Sequence, residues 1–301
     1  MSDYLFAIII AFIPPALYAA TTIIESSLSN SEFKDNVSLT FYSTTISLLF
    51  LPVLFLFGIP ELIEPRLLPL FLAYAACEVA FLVPYYAALK RLQTSVVSAL
   101  FAMSSLVVPV LSWFILGEKL HPINYIGFFI VLAASFYMTK AKGAFQFNKG
   151  FWLMVLTCAI LSIDLMICTK LLTETDWVSV AFWNYILTSA IVVVLLAIKK
   201  VRRPVVASFP KLREHFKQLV LNNGLGCAAG IASLFSLSVL PVVVKDGISN
   251  TEALWVLMFG VVLKTLVKWG GGFKESVNRR QVLRKLIILV AMLGGVILLT
   301  M

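Results

Sequence analysis

Of 301 residues, 60% are hydrophobic and 13% are charged, and the formal net charge is +9 with a mean hydropathy of +0.97. A chain of this size folded in water has too little interior to hide so much apolar surface, which excludes an ordinary soluble domain. Lipid is the expected solvent, where only helices or closed barrels satisfy their backbone hydrogen bonds, and the apolar runs are too long and too unalternating for barrel strands.

A hydrocarbon core of about 30 Å takes roughly 20 helical residues to cross. In chain order, the apolar runs predict helices near residues 4–24, 38–58, 67–89, 94–116 and 121–139. A second set follows near 150–170, 177–198, 217–240, 248–269 and 285–301. The expected fold is an all-α polytopic membrane protein with ten transmembrane helices, grouped five and five over residues 1–145 and 146–301. Short polar connectors such as 58–61, 116–119 and 173–176 join the helices, and the longest loop, about 199–216, is basic and too short to fold alone. The first run starts at residue 4 without a basic n-region or a cleavage signal and carries Pro14 and Pro15, so it reads as a retained helix. Cys77, Cys158, Cys168 and Cys227 fall within predicted spans at no metal-ligand spacing. They read as small apolar residues, and neither a metal nor a cofactor is expected.

With ten spans the loops alternate between two faces. One face receives Lys34, Lys90, Arg91, Lys140, Lys142 and Lys149, then the basic run from Lys199 to Lys217, and finally the group from Lys268 to Lys285. The other has Arg66, Lys119, Lys170 and Lys245. The positive-inside rule makes the first face cytoplasmic, with both termini on the non-cytoplasmic side of a plasma (inner) membrane. The same charges suit anionic lipid headgroups, so the expected partners are the bilayer and a small-molecule substrate, not nucleic acid.

An odd number of spans per half means that a duplicated unit inserts with opposite orientation, the inverted-repeat plan of alternating-access transporters. Faint internal similarity accompanies it: Leu72–Leu82 can be laid beside Asn222–Ala232, aligning Cys77 with Cys227, and Leu116–Leu120 beside Phe273–Val277. Tyr85–Leu100 is similar to the junction of the third and fourth helices in EamA-type members of the drug/metabolite transporter superfamily. So is Val108–Leu120, with its Pro109, Trp113, Gly117 and Glu118, followed by Tyr125-Ile126-Gly127. The match weakens in the second half, where Lys274 stands in place of the usual glycine before Glu275. The resemblance implies secondary transport of small metabolites such as amino acids, amines, nucleotides or drugs. Many family members have cytoplasmic termini, whereas the charges here argue the reverse.

An ionised side chain in the hydrocarbon costs at least about 2.5–3.5 kcal/mol, and such residues usually mark a pathway. Glu78 lies mid-way along the third predicted span, with Tyr74, Leu82 and Tyr85 on its helical face. A carboxylate flanked by aromatic rings suits an ammonium group through charge and cation–π attraction, and it can also carry a coupling proton. Asp164 is the counterpart in the sixth span, near Thr157, Leu161 and Cys168, whereas the first span offers only Tyr18 at similar depth. Glu78 and Asp164 are therefore the candidates for substrate binding and for proton coupling. Glu252, followed by Trp255 and Phe259, repeats the acid–aromatic theme, although an acid at a helix start is also what the dipole favours. Asn184 with Thr188, Tyr42 with Thr45, and Ser98, Ser104 and Ser105 are polar candidates, with packing as the default reading. Glu25, at the end of the first span, reads as interfacial and solvated, with a gate role as the alternative. Lys264 and Lys268 read as snorkelling, Trp113, Trp152, Trp177 and Trp269 as an aromatic belt, and Pro84 and Pro109 as kinks.

The resulting expectation is a transporter of an amino acid, amine or quaternary ammonium compound. The alternative is an exporter or exchanger of an anionic nucleotide or sugar derivative. An enzyme is not expected: His121 and His215 are far apart, and no paired-carboxylate, phosphate-cradle or metal-ligand motif occurs. A scaffold would not need acids beside aromatics. With an internal duplication one chain forms a complete pathway, so a monomer is expected, with a homodimer as the alternative.

Overall fold

The computed structural model describes residues 2–116, 147–265 and 279–300, with scattered positions between 117 and 146. The first half comprises α1 (Tyr4–Glu32), α2 (Asn36–Leu54), α3 (Leu68–Leu89), α4 (Thr94–Leu100) and α5 (Ser104–Leu116). After a two-residue antiparallel pair, Lys140–Ala141 against Ala144–Phe145, come α6 (Lys149–Leu172), α7 (Trp177–Leu195) and α8 (Lys199–Ala207). The chain continues through α9 (Phe209–Val239), α10 (Val242–Ser249), α11 (Glu252–Thr265) and α12 (Arg279–Thr300).

Side chains placed at the connectors fix where helices begin. Asp35 accepts from the Ser38 amide at 2.8 Å to cap α2, and Asn148 accepts from the Phe151 amide at 3.1 Å to cap α6. Asp176 accepts from the Val178 and Ser179 amides at 2.8 and 3.0 Å to cap α7, meeting donors that have no partner in the first turn.

Among the described residues, six helices are long and apolar enough to cross a membrane: α1, α2, α3, α6, α7 and α9. Two other predicted spans are interrupted. The fourth turns through a 3₁₀ segment, Phe101–Met103, between α4 and α5, and the ninth is divided at Asn250–Thr251 between α10 and α11. The fifth, 121–139, lies largely outside the described residues, as do 266–269 at the end of the ninth and the connector with Trp269 and Lys274.

Two sequence expectations change. The first helix runs to Glu32 instead of ending near 24, its last turn closing as a π-helix over Leu28–Glu32. The expected basic loop after residue 198 is largely helical. In α8 the charged residues occupy one side while Val205 is buried, so the segment is amphipathic and lies against the bundle. A kink at His215 (φ −106°, ψ 15°) then separates the basic start of α9 from its membrane-length part.

The largest core cluster joins α3, α4 and α6 through Tyr86, Leu89, Leu100 and Met154, all fully buried. α3 packs along α6, and α1 packs along both α9 and α11. Exposed Leu5, Ile9, Leu56, Phe114, Val194 and Ile287 form the outer surface expected of a lipid-facing bundle. At one end His215 and Lys211 meet Glu32 at 2.8 and 3.6 Å, and at the other Glu174 meets Lys170 at 3.0 Å and Arg66 at 3.3 Å.

Candidate functional site

Between the two halves lies a cavity of about 440 Å³. Its wall carries five carboxylates, Glu25, Glu78, Asp164, Asp246 and Glu252, and one lysine, Lys245. The volume is in the range, roughly 300–1,000 Å³, of sites that enclose small molecules.

Two polar clusters divide this wall. In the first, α3 and α6 pack together and set Glu78 and Asp164 on one cavity surface, with Tyr74 and Cys168 beside them. Asp164 is 7% exposed, its Oδ1 has no hydrogen-bond partner, and Glu78 repels it electrostatically while Lys245 attracts it. An unpartnered carboxylate oxygen in so dry a setting is costly unless something positive or donating visits it. The Asn184 amide oxygen, also on the cavity wall, is likewise unpartnered, since Thr188 donates to the Asn184 backbone carbonyl at 2.7 Å.

The second cluster is a hydrogen-bonded network that crosses between the halves. Glu25 accepts from Tyr85 at 2.8 Å, from Asn222 at 3.1 Å and from Tyr86 at 3.4 Å. Tyr85 is also within 3.3 Å of the Thr22 hydroxyl. Glu252 accepts from Thr22 at 3.0 Å and from Ser98 at 3.2 Å. The expectation of a solvated Glu25 is thereby corrected. Because α1 continues to Glu32, Glu25 sits two turns inside the helix, facing hydroxyl and amide donors. Glu252 is the first residue of α11, as the dipole reading expects, and it lines the cavity as well.

Of the site residues expected from sequence, Glu78, Asp164, Tyr74, Tyr85, Asn184 and Glu252 share this cavity. Tyr42 and Trp255 are placed elsewhere. The Tyr42 hydroxyl donates to the Val205 carbonyl at 2.6 Å, tying α2 to α8. Trp255 meets Phe259 in a tilted ring contact at 5.7 Å and packs against the Ala19–Ile23 surface of α1. Sequence reasoning missed Lys245 and Asp246, assigning Lys245 to a loop. The signal available was an adjacent pair of opposite charges inside an apolar run, Val242–Ile248, which here folds as α10.

Residues 5–140 match the model of the EamA-like transporter family. The first half of the chain is an EamA-like region. No curated protein matches the chain. One solved crystal structure, described only as that of a protein, superposes over 98% of this chain and 98% of its own, with a TM-score of 0.65 and 18% sequence identity. At that identity the likeness concerns the fold alone. The EamA-like match points to a multi-pass membrane transporter of the drug/metabolite type, and not to an enzyme. The EamA-like region supplies Glu25, Glu78 and Tyr85, while Asp164, Asn222, Lys245 and Glu252 come from helices beyond it.

Proposed function

We propose that this protein is a secondary transporter of the plasma membrane that carries a small polar metabolite bearing an ammonium group by alternating access. The observation that carries this reading is the unpartnered Oδ1 of Asp164 on a cavity wall shared with Glu78. Two acids that repel each other in a low-dielectric site gain most from a cation placed between them. Tyr74 and Tyr85 on the same wall add aromatic faces to which an ammonium or quaternary ammonium group is drawn.

The proposed architecture is ten helices in two inverted repeats, residues 1–145 and 146–301. Reciprocal packing supports it: the third helix of the first half lies along the first helix of the second, and the third long helix of the second half, α9, lies along α1. A pseudo-two-fold axis in the membrane plane generates such an exchange and puts the shared cavity near the midplane. The proposed orientation has both termini non-cytoplasmic. It is supported by the loop cations, and more cleanly so with Lys245 removed from the loops. The acting unit is proposed to be the monomer, because both clusters are assembled within one chain.

Uptake of radiolabelled amines and amino acids into liposomes tests the reading. Saturable, gradient-driven flux is expected from the wild type. Glu78→Gln and Asp164→Asn are expected to abolish it while still purifying as folded protein. Transport unchanged in both variants sinks the assignment. A second reading, proton coupling through Glu78 or Asp164, rests on their mutual repulsion, which a proton relieves as well as an ammonium does. It predicts flux driven by a pH gradient, and indifference to that gradient counts against it.

A further inference from the structure

An ammonium site accounts for Asp164 and Glu78 but leaves Lys245 unexplained. Among the described residues lining the cavity it is the single basic side chain. A lysine within a membrane bundle is costly, and that cost is ordinarily met by pairing with an acid. Here five carboxylates share the cavity, yet the Lys245 ammonium makes no hydrogen bond or ion pair with any described residue. Its sequence neighbour Asp246 is engaged elsewhere. The Ser105 hydroxyl donates to Asp246 Oδ2, and the Asn250 amide donates to Ser105 at 2.7 Å and to the Asp246 carbonyl at 2.8 Å. This chain of bonds holds α10 against α5 and keeps the Asp246 carboxylate turned to Ser105. Lys245 and Asp164 attract each other without touching, and Asp164 keeps its Oδ1 unpartnered.

One wall of the cavity thus presents a positive group and a negative pair, neither satisfied by the other. The complement of that arrangement is a molecule carrying an ammonium and a carboxylate a short distance apart. We propose that the substrate is an amino acid bound as its zwitterion, with its ammonium between Asp164 and Glu78 and its carboxylate on Lys245. The proposal rests on the ammonium reading of the acid cluster and narrows it. A simple amine leaves the Lys245 ammonium on the cavity wall unpaired, whereas a simple carboxylate leaves Asp164 and Glu78 unrelieved. In such a site each missing charge is penalised, so discrimination comes from groups left without partners. Lys245 has a second possible purpose, which is only to lower the net negative charge of the cavity. The two purposes predict different binding.

Thermal-shift titration of the detergent-purified full chain distinguishes them. The probes are the proteinogenic amino acids and, for each hit, its decarboxylated amine and its deaminated acid. The expected result is stabilisation by at least one amino acid, with its amine and its acid each weaker by about tenfold or more. Lys245→Met is expected to weaken the amino acid by about tenfold or more, to the level of the amine, and to leave the amine no weaker than before. Lys245→Arg is expected to restore most of the loss, and Lys245→Gln replaces Lys245→Met if the latter does not remain monodisperse. An amine that binds the wild type as tightly as the amino acid overturns the zwitterion proposal and leaves the ammonium site standing. So does an amino acid that binds Lys245→Met as it binds the wild type. Binding of the deaminated acids alone, or of none of the probes, overturns both.

Discussion

Thr22 and Glu252 are 230 residues apart in sequence, yet the Thr22 hydroxyl donates to Glu252 Oε1 at 3.0 Å. With Asn222 bonded to Glu25 at 3.1 Å, this gives two polar bridges between the halves at the same end of the cavity, joined through Tyr85. Alternating access requires the halves to rock about the site, so bonds that cross between them must break or change partner during the cycle.

Thr22→Val removes the donor to Glu252 and the hydroxyl beside Tyr85 while keeping the side-chain volume. Interhelical hydrogen bonds in membranes average about 0.6 kcal/mol and reach about 1.7 kcal/mol. A stability loss of about that size is expected, together with a several-fold change in transport rate, and Thr22→Ser is expected to restore both. Unaltered transport kinetics in Thr22→Val argue that the bridge has no part in the cycle.

Ser105→Ala removes the main hydroxyl donor to Asp246, which is next to Lys245, and leaves Ser104 as the smaller contact. If the bond to Ser105 keeps the two apart, the variant lets them pair and takes Lys245 away from the substrate. Amino-acid affinity is expected to fall several-fold while the corresponding amine is unaffected. Equal losses for both ligands indicate a general disturbance of the cavity instead.

Tyr42→Phe deletes the 2.6 Å bond to the Val205 carbonyl, which keeps the Ser208 amide as its remaining donor at 3.1 Å. The expected cost is about 0.5–1.5 kcal/mol, read as a lower melting temperature and faster proteolysis within residues 199–207. Ligand affinity is expected to stay at the wild-type value because Tyr42 lies outside the cavity lining. A lower affinity in this variant indicates that α8 communicates with the site.

Gly150 stands where α6 begins beneath the connector between α3 and α4. A Cβ at this position meets Leu92 Cγ at 2.8 Å and both Arg91 Cβ and the capping Asn148 Oδ1 at 3.1 Å, so the connector or the cap must shift to admit it. Gly150→Ala is expected to destabilise by about 1–3 kcal/mol through overpacking, without altering ligand specificity. A melting temperature equal to the wild type shows that the connector yields more readily than this geometry suggests.

Much of the fold was legible because the demands of lipid are written locally. A span needs an unbroken apolar run and a cap, and α3, α6 and α7 begin within one residue of where hydropathy puts them. Glu78 and Asp164 announced themselves because a charge inside such a run stands out. The reversal at Glu25 came from one number that hydropathy leaves open, the end of α1. Continuing the helix to Glu32 turns an interfacial acid into a wall of the cavity.

Composition and periodicity by themselves determined that the chain is a helical membrane protein, and the motifs near Tyr85 and Trp113 pointed to the EamA-like resemblance of its first half. Tertiary structure alone decided which acids share a cavity and which cation joins them. It sent Tyr42 to anchor α8 and brought Lys245 onto the wall that holds Asp164. The reason is physical: partitioning into lipid is a property of each segment, whereas the fit between segments depends on side chains hundreds of residues apart. An apolar run states that its helix is buried in the bilayer, but only packing selects the face that meets the substrate.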